Sequence, residues 1–66
     1  MLQIKIGDYF NAYKDGEPTK RMIATSNSPN SKWRGNYCEA MTINPVCYCL
    51  IDVDNEIEVV LGNIFE

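Results

Sequence analysis

A chain of 66 residues with 45% apolar content and a net charge of −3 is read as one small domain, residues 1–66. A chain this short removes only about 60% of its unfolded surface from water, which leaves little room for a deep shielded pocket. Its apolar runs fall short of the about 20 residues that a membrane span needs, and its acidity weighs against indiscriminate nucleic-acid binding.

The N-terminal "MLQIKIGDYF" has no charged start, long apolar middle or small-residue cleavage site, so no secretory signal is read there and a cytoplasmic location is expected. Within it, Leu2, Ile4 and Ile6 alternate with Gln3 and Lys5, the pattern of a half-buried strand. After Gly7-Asp8, "YFNAYK" sets Tyr9 and Tyr13 on one side and Phe10 and Ala12 on the other. "DGEPT" is turn chemistry, with Asp15-Gly16 supplying positive φ and Pro18 lacking a ladder donor. "KRMIATS" resumes as a strand, Met22 and Ala24 opposing Arg21, Ile23 and Thr25.

A polar loop follows from Ser26 to about Asn36, with Trp33 as its one residue suited to a core. Loops of this length are functional more often than short ones. "YCEAMTI" and "VCYCLIDV" then flank Asn44-Pro45, a turn signal between two strands. "IEVVL" predicts a last strand with Ile57, Val59 and Leu61 alternating against Glu56 and Glu58, and "NIFE" predicts a short helical turn plugging Ile64 and Phe65 into an open end. Five or six short strands with frequent turns predict an all-β fold, a small closed or partly closed barrel of antiparallel hairpins.

The opening "IKIGDYFNAYKDGEPTKRMIATS" resembles the first hairpin of SH3-like small barrels, and "LIDVDNEIEVVLGNIFE" is similar to their closing hairpin and short turn. The resemblance covers the two ends and lies in rhythm. It implies a five- to six-stranded SH3-like barrel with a short C-terminal helical turn. Members of that fold bind peptides, modified side chains, RNA or ribosomal partners, and some serve as structural modules.

The cysteines lend themselves to a register argument. If Asn44-Pro45 forms a two-residue hairpin loop, Thr42 faces Cys47, Ala40 faces Cys49 and Cys38 faces Ile51, with all three thiols on one side. Structural zinc needs four ligands, and a chain with three cysteines and no histidine offers no second pair. The plainer reading is that of small buried hydrophobes, with reduced thiols because three cysteines cannot all pair. Asp52, Asp54, Glu56 and Glu58 are read as a solvated acidic face. Without histidine or a glycine-rich phosphate loop, no enzyme, metal or cofactor is expected.

The cations are all in residues 1–36, a stretch of net charge +3, and residues 37–66 carry −6. Such a division becomes a two-signed surface on folding or, the plainer outcome, a barrel brings the opposite signs together. Lys32-Trp33-Arg34 is the best functional lead, because Trp and Arg dominate interface hot spots. Tyr9, Tyr13 and Tyr37 are candidate neighbours, although ordinary packing is the plainer reading for each tyrosine; Trp33 either folds back onto the sheet or meets a ligand. The favoured function is a non-catalytic module that recognises a protein partner through this loop, a role suited to a phage or mobile-element factor. The alternatives are a single-stranded nucleic-acid or RNA-binding barrel, since rings stack on bases while cations meet phosphates, and a structural or oligomerisation module.

Overall fold

The computed structural model describes residues 1–14 and 17–66. Five strands, β1 (Asp8–Lys14), β2 (Glu17–Ala24), β3 (Tyr37–Thr42), β4 (Cys47–Asp52) and β5 (Ile57–Asn63), form one antiparallel sheet in the order β4-β3-β2-β1-β5. A single helical turn, α1 (Val53–Glu56), separates β4 from β5. The all-β expectation holds. The helical turn stands before the last strand, however, and not at "NIFE", where Ile64 and Phe65 form an exposed turn. Asp52 and Glu56 explain that placement: the Asp52 amide donates to the Glu56 carboxylate at 2.7 Å, and Asn55 donates to the Asp52 carboxylate at 2.8 Å. These bonds close one turn without needing a longer helix.

Period-two alternation builds the core. Phe10 and Ala12 of β1, Met22 and Ala24 of β2, Cys38 and Ala40 of β3, and Ile51 of β4 are all buried on one face. Ile4 and Val53 close over it, and α1 packs against both β1 and β4, strands that lie apart in the sheet order. Among the described residues no second layer covers this face, and the sheet curves around it.

Three expectations are corrected. Leu2–Ile6 is not a strand: Ile4 alone bridges to Ser28, with amide–carbonyl bonds of 3.0 and 2.8 Å, while Leu2 and Ile6 are exposed. Glu17 to Thr19, read as turn, belong to β2. The register shift between Ala12 and Lys14 accommodates this, because a bulge tolerates the missing Pro18 donor. The Asp15-Gly16 turn lies outside the described residues. In β5, Val59 and Leu61 are exposed, whereas Val60 joins Ile57 against the core. Two register shifts against β1, at Tyr9/Phe10 and Asn11/Ala12, add a residue each and re-aim the strand.

Entry into β1 depends on Gly7. Its φ is +92°, a conformation costly for residues with a Cβ. From there its amide donates to the Ala24 carbonyl and its carbonyl accepts from the Ile64 amide, both at 2.9 Å. The buried Asp8 carboxylate accepts from the Lys5 amide at 2.9 Å and from Asn63 at 2.8 Å. Both chain ends are thus tied to the start of β1.

Candidate interaction face

The opposite face of the sheet carries the outward members of each alternation. Tyr9 pairs with Ile23, Ile23 with Met41 and Met41 with Tyr48, so one cross-strand row runs from β1 to β4. Beside it, Glu39 of β3 pairs with Leu50 of β4. Tyr48 is 73% exposed and Leu50 is also exposed. Such a row of aromatic and aliphatic groups ordinarily gains stability from its neighbours across the strands, yet here its β4 end projects into solvent.

The loop of residues 25–36 brings Trp33 to this end. A shallow depression is lined by Trp33, Glu39, Tyr48, Cys49 and Leu50. Trp33 is half-buried, and the Lys32 ammonium stands 5.2 Å from its ring centroid, close enough for a cation–π interaction. The same ammonium is 3.1 Å from the Glu39 carboxylate. Arg34 is exposed on the loop.

Two buried polar residues hold the loop in shape. Asn36 accepts a hydrogen bond from the Ser28 hydroxyl and donates to the Leu2 carbonyl at 2.7 Å and the Asp54 carboxylate at 3.0 Å. Its own carbonyl accepts from the Val53 amide at 2.9 Å. Gly35, with φ of +87°, makes the bend that precedes it.

The tyrosines named with Trp33 divide. Tyr37 is half-buried at the start of β3, paired with Asp52. Tyr9 lines a second depression with Arg21, Ile23, Ile43 and Ile64, its hydroxyl end resting over Gly62. Tyr13 is occupied otherwise, its hydroxyl donating to the Glu58 carboxylate on the far edge strand. Of the named residues, Lys32 and Trp33 are thus gathered with Glu39, Tyr9 shares the face at a distance, and Tyr13 is drawn to β5. Tyr48 and Leu50 were missed, although the hairpin register already placed Tyr48 opposite Met41 and away from the thiols.

The opposite charges do meet in part, through Lys32 and Glu39 and through Lys5 and Glu66 at 2.8 Å. The hydrogen bond and charge of Glu66 raise the Lys5 ammonium above its usual range. These exposed pairs contribute little to stability.

On the core side the expected register is observed, Thr42↔Cys47, Ala40↔Cys49 and Cys38↔Ile51, and none of the thiols is in a disulfide. Thr42 ties the hairpin end, donating to the Pro45 carbonyl at 2.9 Å and accepting from the Cys47 amide at 3.2 Å. The reading of small buried hydrophobes applies to Cys38 and in part to Cys49, but Cys47 is exposed because the hairpin tip extends past the core. Burial, with smaller contributions from Cys49 and Asp8, pushes the Cys38 thiol from its ordinary 9.0 up to about 11. Between those values the unfolded chain has lost this proton and the folded chain still holds it, so stability falls as pH rises through the window. Urea melts between pH 8 and 11 are expected to show a steeper loss for the native chain than for Cys38→Ala. Parallel curves for the two would overturn the assignment.

Among the described residues no helix is long and apolar enough to cross a membrane. No family model, curated protein or solved structure matches the chain.

Proposed function

We propose that the chain is a non-catalytic binding module with an SH3-like barrel architecture, and that it recognises a protein partner through Trp33 and the β4 end of the outer face. Support for the architecture comes from the two segments that carry the resemblance: β5 pairs with β1, beside the β1–β2 hairpin. A curved sheet bridged by α1 between β4 and β1 also suits a barrel. Support for the function comes from one observation above all. A half-buried tryptophan shares a depression with an exposed tyrosine and leucine, with a lysine over the indole and a glutamate beside it. An aromatic anchor with flanking charges of both signs is the composition of a protein interface, where the apolar centre supplies affinity and the rim sets orientation.

A nucleic-acid ligand has less support, because Lys32 is already paired with Glu39 and the net charge is −3. The test is affinity capture to identify a partner, followed by titration calorimetry with the native chain, Trp33→Ala and Tyr48→Ala. Each substitution is expected to weaken binding about 30- to 1,000-fold, with the thermal midpoint nearly unchanged. Unaltered affinity in a folded Trp33→Ala chain would overturn the reading. Salt-sensitive amide shifts around Trp33 on adding single-stranded oligonucleotides would replace it with the nucleic-acid one.

A further inference from the structure

The β2 and β3 strands pair at Ile23↔Met41 and Ala24↔Ala40. Beyond that point the β3–β4 hairpin separates from β2, leaving a cleft of about 480 Å³ whose lining includes Lys20, Arg21, Met22, Thr42, Cys47 and Cys49. The small Ala40 lies between Ala24 and Cys49 in the sheet, and the Cys49 thiol and Met22 thioether sulfurs approach to 3.6 Å. Cys47, two residues earlier on the same strand, presents its thiol to the same face and is exposed. The cleft thus gathers two thiols and a thioether.

We propose that Cys47, Cys49 and Met22 bind a soft monovalent metal ion, Cu(I), in a three-coordinate sulfur site. Thiolate and thioether donors select such an ion over harder cations. Zinc fits poorly, since it calls for a fourth ligand, and no group of three His, Cys, Asp or Glu side chains gathers among the described residues. The Cys49–Met22 spacing is suitable, and Cys47 supplies the third sulfur from the rim of the same cleft. With metal–sulfur bonds of about 2.3 Å, sulfurs 3.6 Å apart subtend about 100° at a shared ion, and opening the pair to about 4 Å gives a trigonal 120°. The ion takes the place of the thiol proton that Cys49 directs at Met22.

Binding is balanced without oxidation or reduction. Cu(I) forms bonds to two thiolates and a dative bond to the thioether, and two protons leave to solvent. The product carries one net negative charge, and Lys20, on the same face of β2 as Met22, lies along the cleft to offset it.

The test is anaerobic titration of the reduced full chain with Cu(I) in competition with bicinchoninate, followed by X-ray absorption of the loaded protein. The expected result is one ion per chain with three sulfur neighbours, and an affinity that rises with pH as two protons are released. Cys47→Ser and Cys49→Ser should each lower affinity at least about 100-fold. Met22→Leu, close in volume and so expected to fold, should lower it about tenfold, while Cys38→Ala should leave it unchanged. Equal affinity in native and Met22→Leu chains, two sulfur neighbours, or a matching loss in Cys38→Ala would each overturn the site. Affinity no greater than that of the Cys47→Ser/Cys49→Ser double variant would do the same.

Discussion

Replacing Phe10 with alanine is expected to remove at least about a third of the chain's stability at room temperature, and to unfold it if that stability is near the lower end of its range. Phe10 is 0% exposed and heads the fully buried side chains by volume. It pairs with Met22 on one side and Val60 on the other, so its ring sits where β2, β1 and β5 meet the core. Removing a buried phenylalanine costs about 3–5 kcal/mol in lost burial and residual cavity. At roughly 0.05–0.15 kcal/mol per residue, the whole chain has about 3–10 kcal/mol of stability. The substitution therefore takes away about a third of it or more, and all of it toward the lower end of that range. Far-UV circular dichroism during urea titration checks this, with Phe10→Leu expected to remain folded at a lower midpoint. A cooperative Phe10→Ala transition within about 1 kcal/mol of the native one would place the core elsewhere.

Asn36→Ala has the second largest expected effect, and it acts through polar groups. Asn36 is 4% exposed and Ser28 is 3% exposed. The amide side chain joins three separate segments: the N-terminal arm at Leu2, the loop at Ser28 and α1 at Asp54. Alanine would leave the buried Ser28 hydroxyl without its Asn36 partner and turn the part-buried Leu2 carbonyl to water, at a cost of about 1–3 kcal/mol. Hydrogen exchange localises the damage. The amides of Ile4 and Ser28, which bond each other's carbonyls, should exchange much faster, whereas those in the β1–β2 ladder should change only through the fall in global stability. Uniform acceleration across all strands would mean that Asn36 supports the whole fold and not the loop.

Asn36 also illustrates why part of the candidate face was not legible. In sequence it ends a polar run and looks like solvent-facing filler, yet it is buried because the arm, the loop and α1 converge on it. That convergence positions Trp33, whose two readings were equally open along the chain. The ring takes neither extreme, and lies half-buried beside Tyr48 and Leu50. Tyr48 was hidden by its own neighbours. Flanked by Cys47 and Cys49 in an apolar run, it stands out only once the strand's alternation is anchored to a partner.

Alternation within a strand and turn residues between strands are local properties, and the sequence by itself determined their consequences. These include the all-β class, the sharing of one side by Phe10 and Ala12 and of another by Met22 and Ala24, and, given a tight Asn44-Pro45 turn, the β3–β4 register with its thiols on one side. Properties that depend on a distant partner were decided by the tertiary structure. Leu2–Ile6 alternates as a strand does, but the first strand's two edges are taken by β2 and β5, and only Ile4 finds a bridge. Val60 replaces Val59 and Leu61 at the core because bulges against β1 shift the count, and a bulge is defined by two strands together. The divergence of the β3–β4 hairpin from β2 likewise exposes Cys47 while leaving Cys38 sealed, although both lie on the same side of one hairpin.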